Sequence, residues 1–470
     1  MSRFPSSRRR SSAEPSRLAP SEGGFVIVAG ALVLLSSWGL SGRADWAQPW
    51  LHALALLALA LPIARQREGE RVGWWPFAPL VLWIAFCGVA LLNPSHSPAP
   101  SGGWIPRPDW IRWLPTTVDH DHTISDLRYW LFPLALGGAA CALVRGASGA
   151  RALWSAIALN GLALALVGAW FRLSGADLAL GFIEPPESTY FFATFFYKNH
   201  WAAFGALSAT AGLALALEAW PGVLAGDPRA RGRACLYGAA GVLTLVTLPL
   251  PGSRSGALFA LALLGAFLAT GLVLWWRQRT SGTRNWIPLI PLGAMALIVG
   301  FGAAAYAPTA LRDFERTRTQ LERPLEGGAF ELRTLVTRDT WRMAAARPWF
   351  GWGPGAYEIV FPLFHGNYLR GPDGRVTDRF DMAHNDWLHT LAETGWLGTL
   401  MLVGPIVALA VRSWRRASLA GRWGLGGCGL VALHAWIDFP LRNAAVVLVW
   451  ALLLATAGRL AAKPADDTTD

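Results

Sequence analysis

The sequence is poor in charge. Only 15% of its 470 residues are Asp, Glu, Lys or Arg, while 53% are hydrophobic. A soluble domain carries about a quarter charged residues, so a soluble enzyme and a disordered chain are both excluded. Cysteine is scarce as well. Cys87, Cys141, Cys235 and Cys428 each sit in an apolar run with no paired spacing. That excludes a disulfide framework and a thiolate metal site, and all four read as small buried hydrophobes. Lysine is almost absent, with Lys198 and Lys463 the only two among 41 basic residues. The bias toward Arg fits a GC-rich coding sequence. There is no Walker loop, no dinucleotide loop and no internal repeat. Asp119-His120-Asp121-His122 is a possible metal-binding run, but no further Cys/His cluster lies at ligand spacing, so no metal and no cofactor are expected.

What is present is a series of long apolar runs. They fall near 24–41, 46–63, 74–92, 129–144, 152–172, 200–217, 234–251, 256–276, 286–307, 393–411, 423–437 and 443–458. Each is close to the length that crosses a bilayer as a helix. The expected fold is therefore all-α, a polytopic membrane protein of about 12 transmembrane helices with one large, partly helical outer loop. The chain divides into a disordered tail 1–23, helices one to nine over 24–307, the loop 308–392, helices ten to twelve over 393–458 and a tail 459–470. The first run follows Arg8-Arg9-Arg10 and lacks a convincing cleavage site, so it reads as an uncleaved span.

The formal charge of +11 invites a polyanion-binding reading, but topology divides it. Short connections on the side of the termini are rich in Arg, those on the other side are poor in Arg, and the outer side as a whole is close to balanced. By the positive-inside rule both termini are cytoplasmic. The excess is an orientation signal facing anionic inner-leaflet lipid. The outer face must bind any phosphate through a few placed arginines.

All nine histidines fall on the outer half, and no span has a charge near its middle. Coupled transporters carry ionisable groups at mid-membrane, so this pattern favours chemistry at the outer interface. Four groups are candidates. Arg254, within Gly252-Ser253-Arg254-Ser255-Gly256, could grip a phosphate in bidentate fashion or could snorkel from a turn. Arg333, Arg338 and Arg342 lie on a predicted amphipathic helix, 331–346, with Leu332, Leu335, Val336 and Met343 on its apolar face. They could join an anion pocket or pair with Glu331 and Asp339. His384 is placed in the first turn of a helix starting near Asp381, followed by Asn385 and Asp386. It could act as a general base oriented by Asp386 or Glu393, or simply cap the helix. His434, Asp438 and Arg442 read as an ion pair tying the last two spans. Asn199 and His200 open the sixth span, lining the same cavity or capping the helix.

Together these residues resemble the O-antigen ligase and polymerase superfamily of bacterial inner membranes. The matching segments are Lys198-Asn199-His200-Trp201-Ala202, Ser253-Arg254-Ser255-Gly256 and Arg347-Pro348-x-x-Gly351-x-Gly353-Pro354-Gly355. His384-Asn385-x-x-Leu388-x4-Glu393-x-Gly395-x-x-Gly398 and Asp438-Phe439-Pro440-Leu441-Arg442 complete the set, in the family's order. The resemblance covers roughly residues 130–460 and leaves the 93–128 loop unexplained. It implies a metal-independent, inverting membrane glycosyltransferase of the inner membrane. The donor would be an undecaprenyl-diphosphate-linked glycan, and the acceptor a hydroxyl of a glycan, lipid or protein. It implies diphosphate contacts from Arg254 and from Arg338 or Arg333, with His384 as general base. Lipopolysaccharide or other polysaccharide biosynthesis would be the setting, and nucleic acid no partner. The competing expectations are a transporter or flippase of the same fold and a non-catalytic scaffold for polysaccharide assembly.

Overall fold

The computed structural model describes residues 18–67, 73–100, 103–175, 178–181, 183–184, 191–279, 329–366 and 380–460. It is almost entirely helical. The helices are α1 (Pro20–Trp38), α2 (Gln48–Arg67), α3 (Ala78–Leu92), α4 (His120–Leu143), α5 (Ala147–Leu173), α6 (Lys198–Leu224), α7 (Pro228–Thr247) and α8 (Arg254–Arg279). They continue with α9 (Ala329–Ala346), α10 (Tyr357–Val360), α11 (Asp386–Arg416), α12 (Leu419–His434) and α13 (Ala444–Thr456). One small antiparallel hairpin, β1 (His96–Pro98) with β2 (Trp104–Pro106), lies between α3 and α4. Helices fall on eleven of the apolar runs, and the run 286–307 lies outside the described residues. By length and composition, six of the described helices can cross a membrane: Pro20–Trp38, Trp75–Leu92, Ala147–Leu173, Lys198–Leu224, Arg254–Arg277 and Asp386–Arg416.

The bundle is organised around α6. It is the most buried of the six, with 94% of its apolar window inside the protein, and it packs against α5, α7, α8, α12 and α13. Its sequence explains this position. Ala202, Ala203, Gly205, Ala206, Ala209, Ala211 and Gly212 leave so little bulk that backbones can approach closely. A Cβ on Gly212 would stand 2.8 Å from the Tyr237 carbonyl oxygen of α7. Small residues of this kind serve membrane helices well, because lipid offers no hydrophobic drive for helix association. Three of the four cysteines are buried as expected, but Cys235 is exposed on α7. In an apolar solvent a small hydrophobe gains nothing by turning inward, so the sequence pattern could not place it.

A second, smaller core gathers Val336 and Met343 of α9, Tyr357 and Val360 of α10, Phe361, and Leu388 and Leu391 of α11. Of the amphipathic face read on 331–346, Val336 and Met343 lie in this core and Leu332 packs against it, while Leu335 is half-buried outside it. Pro348 follows α9, and the glycine turn after it docks onto α11. There α11 breaks at Gly395, whose φ of 64° is left-handed. The amides of Trp352 and Gly353 donate to the Ala392 and Glu393 carbonyls at 3.1 and 2.8 Å, and those of Trp396 and Leu397 donate to Pro348 and Trp349 at 2.7 and 3.1 Å. The turn therefore restores hydrogen bonds that the broken helix lost. A side chain is impossible at the contact, since a Cβ on Gly351 would lie 2.2 Å from the Glu393 carbonyl oxygen.

The 93–128 loop also gains a role. Arg347 lies 4.5 Å from the Trp110 ring and 3.9 Å from the Trp352 ring, a cation–π sandwich that ties this loop to the glycine turn. Burial, helped by Arg112, pushes the Arg347 pKa down to about 10. Asp119 is the N-cap of α4, accepting from the His122 amide at 3.4 Å. The Asp/His run at 119–122 is thus used to start a helix.

Candidate active site

The polar residues converge where α6, α8 and α11 begin and where the segment 435–443 joins α12 to α13. Asp438 is the centre. It is 1% exposed. The Tyr197 hydroxyl donates to its two oxygens at 3.0 and 3.2 Å, the Asn199 amide donates to Oδ2, and the Phe439 amide donates to Oδ1 at 2.9 Å. His384 Nδ1 stands 3.6 Å from Oδ1 and His434 Nε2 stands 3.9 Å from Oδ2. Burial opposes ionisation of Asp438, but His384, His434 and Arg333 outweigh it and hold the carboxyl well below its usual range. Burial and the adjacent Asp438 push the Tyr197 phenol up, which keeps it a donor.

From Asp438 the network reaches the serine-arginine turn. Asn199 Oδ1 accepts from Ser253 Oγ at 2.7 Å and from Ser255 Oγ at 3.1 Å. Ser253 Oγ in turn accepts the Gly256 amide at 2.9 Å. Both serines thus face inward, and Arg254 between them opens α8 and is exposed. It forms no hydrogen bond or ion pair among the described residues. His200 turns the other way. It lies 3.3 Å from the Phe439 carbonyl through Nε2 and 3.3 Å from Asn443 Nδ2 through Nδ1. The roles of Asn199 and His200 are therefore distinct, one in the Asp438 network and one bracing the far side of Phe439.

His384 is not in a helix. It precedes the N-cap of α11, which is Asn385, whose Oδ1 accepts from the Leu388 amide at 2.9 Å. The expected start near Asp381 is thus displaced to Asp386, where the Asn385 side chain satisfies a free amide of the first turn. His384 itself has a left-handed φ of 50°, rare for a residue with a Cβ. Its ring packs edge-on against Phe439 at 5.0 Å and remains 20% exposed. Neither Asp386 nor Glu393 orients it. Asp386 accepts the Leu441 amide at 2.8 Å, and the carboxylate beside His384 is Asp438.

The expected tie between Asp438 and Arg442 is also corrected. Arg442 points away and binds Asp126 of α4 at 2.7 Å and Glu393 of α11 at 2.9 Å. Glu393 further receives the Tyr357 amide at 3.1 Å, with His389 Nε2 at 3.2 Å. Burial works against the Arg442 charge, but Asp126, Glu393 and Asp386 together hold its pKa above the ordinary value. Sequence reasoning missed Asp126, Tyr197 and His389. Tyr197 directly precedes the Lys198-Asn199-His200 run and could have been included on that ground. Asp126 gave no signal, because nothing local marks it as Arg442's partner.

The loop arginines separate. Arg338 and Arg342 both bind the buried Asp339 at 3.1 Å. Arg333, one turn and a half earlier on α9, is within electrostatic reach of Asp438, His434 and Tyr197. Beside the site, α11, α12 and α13 enclose an apolar cavity of about 1110 Å³. Arg338 and Asn385 line one end, and Trp414 and Arg415 the other.

Residues 239–403 match the family model of the O-antigen ligase domain, Wzy_C. The match supports the O-antigen ligase/polymerase superfamily. No curated protein matches the chain significantly. Residues 239–403 are thus the part of the chain that is similar to an O-antigen ligase domain, a likeness that supports a membrane glycan-transferring enzyme in general, and six described helices are long and apolar enough to cross a membrane. The matched segment holds Arg254, Arg333, Arg338, His384 and Glu393. Asn199, His200, Asp438 and Arg442 lie outside it, so the polar network around Asp438 extends beyond the matched segment.

Proposed function

We propose that the protein transfers or polymerises a glycan from an undecaprenyl-diphosphate donor onto an acceptor hydroxyl at the periplasmic face of the inner membrane, without a metal. One observation carries the reading. His384, the one partly exposed histidine against Asp438, shares that carboxylate with Asn199, which in turn fixes both serines flanking Arg254. The base and the turn that carries the anion-binding arginine thus meet around one carboxylate.

His384 turns Nδ1 toward Asp438, which leaves Nε2 for the substrate. The acceptor oxygen attacks the anomeric carbon while its proton passes to His384. The carbon–oxygen bond to the diphosphate breaks, and undecaprenyl diphosphate leaves with the electron pair. Attack opposite the leaving group inverts the anomeric centre. Asp438 stabilises the imidazolium that forms, and Arg254 with Arg333 meets the charge developing on the diphosphate. Arg338, held by Asp339, is the lesser candidate. The apolar cavity beside Asn385 suits the prenyl chain. Both termini are cytoplasmic in this arrangement, with about twelve spans and the segment 308–392 periplasmic.

The test is reconstitution with a defined undecaprenyl-diphosphate glycan and a panel of acceptors. Wild-type transfer that persists with a chelator and is lost in His384→Ala is expected. Full transfer by His384→Ala would overturn the general-base assignment, and movement of the lipid-linked glycan across the bilayer with no acceptor present, surviving loss of His384, would replace this reading with the transporter.

A further inference from the structure

Three short connections close the bundle at the His384 end: 39–47 between α1 and α2, 248–253 between α7 and α8, and 435–443 between α12 and α13. Each carries or adjoins an arginine. Arg254 and Arg442 have been placed above. With the termini cytoplasmic, arginine in such a connection runs against the orientation bias of membrane proteins and calls for a local reason. Arg442 has its two carboxylates. Arg43 has none. It is exposed and forms no ion pair among the described residues, Asp45 included.

The backbone that presents Arg43 is costly. Leu40 and Ser41 are both left-handed, with φ of 54° and 60°, and Gly42 follows at 82°. Two such residues with side chains in succession persist only where the surroundings over-determine them, and such strain concentrates at functional positions. The surroundings are present. Ser41 Oγ donates to the Thr194 carbonyl at 3.3 Å, Gln48 Nε2 donates to the Gly42 carbonyl, and a Cβ on Gly42 would stand 2.8 Å from Ala444 Cβ. Ser41, Ala44 and Ala47 are buried by this packing, and Arg43 is left outside it. Ala444 follows Asn443, which holds His200. The Tyr129 hydroxyl donates to the Leu441 carbonyl at 2.7 Å. The Arg43 charge reaches both His200 and Tyr129. Arg43 therefore stands against the segment 438–443 on the His200 side, while Arg254 stands on the Asn199 side.

We infer that Arg43 is an anion-binding residue of the transfer site, taking a phosphate or carboxylate carried by the saccharide substrate on the side of Phe439 away from Arg254. The inference rests on the proposed transferase reading. The chemistry is a bidentate guanidinium contact to a planar or tetrahedral oxyanion. With the donor diphosphate assigned to Arg254 and Arg333, the anion at Arg43 belongs to the acceptor or to the donor's glycan.

The experiment uses the full chain in nanodiscs, as wild type, Arg43→Gln and Arg43→Lys. Transfer is measured with a phosphorylated glycan acceptor and with the same acceptor after phosphatase treatment, and again with acidic and neutral donor glycans. Arg43→Gln should raise KM for one anionic substrate about tenfold with kcat within about twofold, and Arg43→Lys should recover part of it. The substrate whose KM moves is the source of the anion. The matching uncharged substrate should show no difference between wild type and Arg43→Gln. An unchanged KM for every substrate, or an equal rise for charged and uncharged ones, overturns the inference. Thermal stabilisation by inorganic phosphate is measured in parallel and should be smaller in Arg43→Gln than in wild type, the remainder belonging to Arg254 and Arg333. If wild type transfers to no acceptor while this stabilisation persists, the transferase reading has failed and the anion site stands. Absence of both removes the site.

Discussion

Asp438 and Arg442 lie four positions apart in one short segment, yet their surroundings are opposite. Arg442 is closed off, with two carboxylates at hydrogen-bond distance and little access to solvent. No guanidinium or ammonium among the described residues contacts Asp438, whose carboxyl is held well below its usual range. It is balanced instead by a hydroxyl, amides and two histidines, one of them partly exposed. The contrast is between a saturated ion-pair joint and the carboxylate that the proposed reaction uses. A saturated ion pair has no capacity left for a substrate. A carboxylate held ionised by hydrogen-bond donors, two histidines and an arginine that does not touch it can stabilise a positive charge that appears only during reaction.

The comparison can be broken or sharpened by experiment. The largest effect is expected from His384→Ala, which should lower transfer by about 10² to 10⁴-fold while leaving thermal unfolding near wild type. A loss of fold instead would put His384 in the structural class with Arg442. Arg442→Ala should do the reverse. It strands Asp126 and Glu393 in a buried site, so it should destabilise the protein by about 3–5 kcal/mol, read as a lower unfolding temperature in detergent. Near-normal stability would show that the joint is dispensable.

Asp438→Asn should affect both properties, and pH separates them. The Asp438 carboxyl is depressed in the folded state, so its contribution is present above the unfolded pKa of about 4 and is lost as pH falls toward the folded value. The stability gap between wild type and Asp438→Asn, on the order of 2 kcal/mol, should be constant from pH 7 to 5 and shrink below pH 4. A gap undiminished at pH 2.5 would mean that the charge of Asp438 is not what stabilises. The smallest effect is expected from Arg338→Gln, whose partner is Asp339. It should raise donor KM less than about threefold, while Arg333→Gln raises it about tenfold, a difference of 1.4 kcal/mol per decade. Equal effects would return Arg338 to the diphosphate.

Much of the fold was legible because membrane helices announce themselves by continuous apolarity. The amphipathic face of α9 was legible for the related reason that Val336 and Met343 recur at helical spacing. The break at Gly395 was not, since it depends on the turn 348–353 arriving from elsewhere to meet the freed backbone groups. The site divides in the same way. His384, Arg254 and Asn199 were visible as motif residues, and the O-antigen ligase match covers the first two. Their wiring was not. Asn199 meets Asp438 across 239 residues and Arg442 meets Asp126 across 316. Nothing in the local sequence distinguishes the right carboxylate for His384 from Asp386, two positions away.

The sequence by itself determined the solvent of this protein, the placement of its apolar helices and the residue types available for chemistry, because hydropathy and helical period are local properties. Only the tertiary structure decided that Asp438 serves His384, that Glu393 serves Arg442, and that Arg333 rather than Arg338 lies near the centre. Electrostatic partnership falls off within a few ångströms, so it is set by which helix ends the packing of α6, α11 and α13 brings together.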